Sequence, residues 1–173
     1  YPYEKAIGST AFSLYACASS YQLLEIKDQE LEKFFIKRCN WLVNNQESGK
    51  LTNHQTLIVR CIDIVSDIIG QNKWSKEREK ILKRIISWYN NEGWFWEYDG
   101  FDPGYHTLTI SFLAEIFIKE NRSDLKSILI KAIKLSHHFI HPDGSFGGEY
   151  SSRNTYSFFP LGFELLSFMD DKC

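Results

Sequence analysis

Apolar positions recur at helical spacing along most of this chain, and they fall into two kinds of segment. The first kind is amphipathic. "DQELEKFFIKRCNWLVNN" sets Leu31, Phe34, Phe35, Trp41 and Leu42 on one stripe behind a cap at Asp28. "SKEREKILKRIISWYNN" repeats the pattern with Ile81, Leu82, Ile85, Ile86, Trp88 and Tyr89 behind Ser75. "NRSDLKSILIKAIKLSHHFI" does so with Leu125, Ile128, Leu129, Ala132, Ile133 and Phe139 behind Asn121. Each carries a Lys/Arg/Glu-rich outer face, so each should pack on one side only.

The second kind is poorer in Lys and richer in Ser, Thr, Ala and aromatics: "STAFSLYACASSYQLL", "HQTLIVRCIDIVSDII", "GYHTLTISFLAEIFI" and "RNTYSFFPLGFELLSF". Such helices should be covered on more sides. Gly70 marks a C-terminal stop for the second of them. Pro160 should break the first turns of the last, because it lacks a donor and clashes one turn back.

The two kinds alternate. The sheltered segments each carry a Thr near the start, at Thr10, Thr56, Thr107 and Thr155, with spacings of 46, 51 and 48 residues. The turns before them also correspond: "NNQESGKLTNHQT", "NNEGWFWEYDGFDPGYHT" and "HPDGSFGGEYSSRNT". This is an internal repeat: an exposed helix, a Gly-rich aromatic loop, a sheltered helix. The reading is all-α: antiparallel helical hairpins, about seven helices, one domain over 1–173. The loops 46–53, 92–104 and 141–153 should gather at one end of the array.

Composition then limits the function. A net charge of -2 offers no electrostatic case for nucleic acid or an anionic membrane. Aromatics reach 16 %, and many lie in the Gly-containing loops, where they either close helix junctions or present faces to sugars. Cys17, Cys39, Cys61 and Cys173 form no CxxC pair and have no His at zinc spacing; they read as reduced core thiols, with no metal and no cofactor called for. Free thiols lean toward the cytoplasm. The chain starts at Tyr1 rather than Met, which leaves a fragment or a processed form as the alternative, periplasmic or secreted if a signal peptide was removed.

Alternating exposed and sheltered helices at this period resemble the α/α-toroid folds. Loops such as "NNEGWFWEY" and "HPDGSFGGE" are similar to the turns of squalene-cyclase-like repeats, lanthionine cyclases, six-hairpin glycosidases and the helical domains of polysaccharide lyases. About three and a half hairpins would make an incomplete toroid, with the loops at the amino ends of the inner helices. Within "EYDGFDPGYHTLTISFLAEIF", Glu97, Tyr105 and His106 resemble a segment of heparinase-II/III-like lyases. "DGSF", Asp143–Phe146, resembles a turn of chondroitin-type lyases, although Gly147, Gly148 and Glu149 follow where those carry a His.

That resemblance implies a carbohydrate-active protein that cleaves a uronate-containing glycan by β-elimination. Elimination needs a group to neutralise the carboxylate, a base and an acid. Arg153 and Asn154 would hold the carboxylate. His106 would be the base, with Tyr105 or Tyr150 the acid and Glu97 and Glu149 orienting them. Trp94, Trp96 and Phe146 would wall the cleft around a poly- or oligosaccharide. As a surface base, His106 could be replaced by Ala with stability changed by no more than about 1 kcal/mol. Each residue also has a structural use: His106 as a cap or loop brace, Arg153 with Glu149 as an ion pair, Asn154 as an N-cap, the tyrosines as packing. Two carboxylates, Glu97 and Glu149, suit a glycoside hydrolase as well. A non-catalytic helical-repeat scaffold or glycan-binding module is the remaining alternative.

Overall fold

The computed structural model describes residues 6–147, 150 and 157–167. The chain divides into two compact units: Tyr1–Ser48 with His54–Arg84, and Gly49–Asn53 with Ile85–Cys173. Among the described residues there are seven α-helices and one two-stranded sheet, and no helix is long and apolar enough to cross a membrane.

Unit 1 is built from α1 (Ile7–Leu23), α2 (Gln29–Asn44) and most of α3 (Thr52–Ile69) and α4 (Ser75–Ser87). Asp28 caps α2 as its sequence requires, accepting from the amides of Glu30 and Leu31 at 2.8 and 3.1 Å. Tyr21 ties the α1–α2 turn: its hydroxyl accepts from the Asp28 amide at 2.9 Å and donates to Glu32 at 2.7 Å. Its ring meets Phe35 edge-on at 5.4 Å. Gly70 ends α3 at φ +64, and the Gln71 amide reaches back to the Ser66 carbonyl, the bond of a left-handed stop. Arg78 clamps Asp63 with two nitrogens, at 2.5 and 3.1 Å, between α4 and α3.

Four sequence expectations change here. Leu31 and Phe34 leave the α2 stripe, at 39 and 42 % exposure, and only Phe35, Cys39 and Leu42 are buried on that helix. α1 buries one face only, through Ile7, Ala11, Leu14, Ala18 and Tyr21, although its sequence is as uncharged as that of a sheltered helix. Cys17 is therefore exposed rather than a core thiol, whereas Cys39 and Cys61 are buried. Burial pushes the Cys39 thiol up to about 12 and the Cys61 thiol well above its ordinary range. Ser75 is the first residue of α4, with its amide on the Asn72 carbonyl, rather than a cap preceding the helix.

Unit 2 carries α5 (Pro103–Glu120), α6 (Ser123–Ser136), a 3-10 turn at His137–Phe139 and α7 (Leu161–Leu166). Asp102 caps α5 by accepting from the Tyr105 amide at 2.9 Å, and Pro103 opens the helix where no donor is needed. α5 buries thirteen of its eighteen residues, as a sheltered helix should. It packs against both α6 and α7. Asn121 corrects its assignment: it ends α5 in the left-handed region at φ 50 and does not cap α6, whose N-cap is Arg122. Regular helix begins at Leu161, directly after Pro160, so the proline delays α7 as expected.

Among the described residues the fold is mostly helical, as the all-α reading expects, with one two-residue strand pair added. β1 (Lys50–Leu51) pairs antiparallel with β2 (Glu97–Tyr98), Lys50 opposite Tyr98 and Leu51 opposite Glu97. Two-residue strands carry no readable alternation, so the chain pattern could not show them.

Candidate functional site

The repeat is real at the level of bonds. In Asn90–Trp94 the first amide donates to the fifth carbonyl at 2.7 Å and the Gly93 amide to the first carbonyl at 2.9 Å. In His141–Ser145 the same two bonds recur at 2.8 and 2.9 Å. Gly93 and Gly144 both stand at positive φ, 109 and 85, where a side chain would be strained. Asp143 braces the second turn through the Ser145 amide and hydroxyl, and those bonds hold its carboxyl below the usual range. The residue after each turn is a buried phenylalanine, Phe95 at 0 % and Phe146 at 8 % exposure.

Of the loop parts that fall in unit 2, 49–53 and 92–104 lie in contact, and 92–104 is linked to 141–147 through Phe139. Leu51 and Lys50 pair with the 97–98 strand, and Thr52 donates its hydroxyl to the Trp96 carbonyl at 2.5 Å. On the other side Phe101 packs on Phe139 at 5.0 Å, and Phe139 on Phe146 at 6.5 Å. Phe146 continues to Phe158 at 4.9 Å.

Glu97 sits inside this loop layer at 2 % exposure. The Asn53 amide N–H and side-chain nitrogen each donate to one of its oxygens at 2.7 Å, and the Thr109 hydroxyl donates at 3.3 Å. It thus holds the start of α3 and the second turn of α5. Burial lifts its pKa to about 8, outweighing the Asn53 and Thr109 bonds that pull it down; Asp102 adds to the rise.

His106 has no exposed surface. Its Nε2 donates to the Ala132 carbonyl at 3.1 Å, which fixes the tautomer. Its ring lies 5.2 Å from Phe101 and 5.9 Å from Phe95. Its Nδ1 has no hydrogen-bond partner among the described residues. Burial drives its pKa down to about 4, against a small upward pull from Ala132. This is a neutral histidine wedged between α5 and α6, closed to solvent in this state.

The remaining candidates differ in exposure. Trp94 and Trp96 are half-buried, 5.2 Å apart and tilted by 58°. Lys50 Nζ lies 4.4 Å over the Trp96 ring, and Trp94 Nε1 donates to Glu92 at 2.9 Å. Tyr98, 43 % exposed, lies 6.1 Å from half-buried Tyr105. Tyr150, 61 % exposed, stacks on His141 at 6.4 Å. Phe146 is a plug rather than a wall. Glu149, Arg153 and Asn154 lie outside the described residues.

The structure therefore joins Glu97, Trp94, Trp96 and Tyr105 in one loop layer and sets His106 behind it. Sequence reading missed two features of unit 1. His54 Nδ1 pairs with Glu47 at 2.9 Å, its ring laid on Gly8, where a Cβ would come within 2.4 Å. Gln55, at the repeat position of His106, lines an open cleft; the Gln-for-His exchange between repeats was the available signal. No family model, curated protein or solved structure matches this chain.

Proposed function

We propose that this is a helical-hairpin-repeat protein of the α/α-toroid type that binds a poly- or oligosaccharide on the aromatic loops of unit 2 without cleaving it. Support for the toroid type is the alternation of one-sided helices with α3 and α5, buried nearly all round, and the five-residue turn shared by two repeats. The observation that carries the binding reading is the run of partly exposed Trp94, Trp96, Tyr98 and Tyr105 with Lys50 over Trp96. Such rings offer apolar faces to sugar C–H groups and polar tips to hydroxyls. Lys50 favours an acidic glycan. Binding is preferred to turnover because Glu97 and His106 are engaged in holding helices together.

An array of neutral and acidic glycans tests this. We expect retention on a subset, weakened at least about tenfold by Trp96→Ala, the scale of one lost stacking contact. Retention unchanged by that substitution, or on no glycan at all, overturns it. Elimination is the second reading, favoured by Tyr105, a phenol of the kind this reaction needs as acid, half-buried beside exposed Tyr98. An ultraviolet-absorbing unsaturated product from any uronate polymer would establish that reading instead.

A further inference from the structure

Gln55 stands in α3 where His106 stands in α5, 51 residues apart. In unit 2 that position is sealed by Phe95 and Phe101. In unit 1 it is open: Gln55, itself 4 % exposed, lines a cleft of about 60 Å³ bordered by α2, α3 and α4. At roughly 10–15 Å³ of such space per water, this holds a few waters or one short organic molecule.

The lining has a definite chemistry. Arg84 Nη1 donates to Gln55 Oε1 at 3.1 Å, so the guanidinium is fixed by a buried amide. Lys80 lies one helical turn before Arg84 on α4, and Glu77 nearly one turn before Lys80. Lys80 makes no ion pair among the described residues. The lining thus carries the cations Lys80 and Arg84 and the carboxylate Glu77. Ile58 and Ile81 supply an apolar side. A cation would meet Lys80 and Arg84. A dianion would set a second negative charge beside Glu77. A monoanion with a short carbon body meets Lys80 and the Arg84 donors and suits the apolar wall.

We propose that this cleft binds a small monocarboxylate, its oxygens taken by Lys80 and Arg84 and its carbon body laid on Ile58 and Ile81. The site lies wholly in unit 1 and stands independently of the glycan-binding reading. No bond is made or broken; the inference is of a binding site.

The test is a nuclear magnetic resonance titration of the whole isotope-labelled protein with propionate, and with propionamide at matched ionic strength. Propionate should shift the Gln55 side-chain amide and the Arg84 Nε–H resonances saturably, and propionamide should not. Lys80→Gln, at an exposed position, should keep the melting temperature and weaken propionate binding at least about tenfold, the loss expected for one charge-assisted bond. Arg84→Gln should weaken it further. Shifts that grow linearly without saturation, an equal response to propionamide, or unchanged affinity in Lys80→Gln would each overturn the proposal.

Discussion

Glu97 and His106 show how a residue chosen for its chemistry can be used for its shape. Glu97 keeps a carboxyl in a nearly dry place because two helices aim donors at it. Its folded pKa, about 8, lies above the ordinary 4.5, so the neutral form is the one the fold prefers. Its contribution to stability is full below about pH 4.5 and is lost as the pH rises through about 8. His106 has the opposite sign. Its folded pKa, about 4, lies below the ordinary 6.5, so its contribution is full above about 6.5 and lost as the pH falls toward 4. Chemical denaturation across pH should find greatest stability between about 4.5 and 6.5. Glu97→Gln should flatten the alkaline limb, which in the wild type falls by at most about 1.4 kcal/mol per pH unit. An alkaline limb of unchanged slope in that variant would place the titration elsewhere. His106→Ala should cost about 3 kcal/mol, because it empties a fully buried site between two phenylalanines and removes the bond to Ala132. A loss below about 1 kcal/mol, the value a surface base would show, would return His106 to the solvent.

Among elements, local signals were legible and distant ones were not. Asp28, Gly70 and Pro160 act on their own neighbours, so their effects could be read from the chain. Asn121 misled because a short amide suits both a helix start and a left-handed helix end; the choice depends on where the chain turns next. β1 and β2 pair across 46 residues with two residues each, which no periodicity could announce. The sheltered character of α5 was legible as buried Ser and Thr, but their use was not. Thr107 accepts the Phe159 amide at 3.0 Å, and Ser111 accepts the Gly162 amide at 3.1 Å, so two hydroxyls one turn apart hold the start of α7. Gly162 permits that approach: a Cβ there would lie 2.8 Å from the Ser111 backbone. Gly162→Ala should therefore cost about 1–3 kcal/mol in denaturant unfolding, the range for overpacking a fitted contact. A neutral result would mean that α7 sits away from α5 in solution.

At the scale of the whole molecule, the hairpin repeat and most helix classes were readable because burial on one side or many leaves a compositional mark; α1, uncharged yet buried on one face only, was not. The candidate site was readable only as a neighbourhood. The loops were identified, but sequence could not tell which aromatics plug and which show a face. Phe95 and Phe146 follow their turns at equivalent positions and are buried; Trp94 and Trp96 flank Phe95 and are half open. A comparable difference separates His106 from Gln55: the first is closed in by Phe95 and Phe101, and the second lines an open cleft. Binding without cleavage is the central claim, and a titration of intrinsic tryptophan fluorescence with acidic oligosaccharides, run beside a measurement of product absorbance and reducing ends, tests it most directly. The account predicts a saturable change that Trp96→Ala weakens at least about tenfold while the sugar is recovered intact; the absence of any saturable change, or a sugar recovered cleaved, would contradict it.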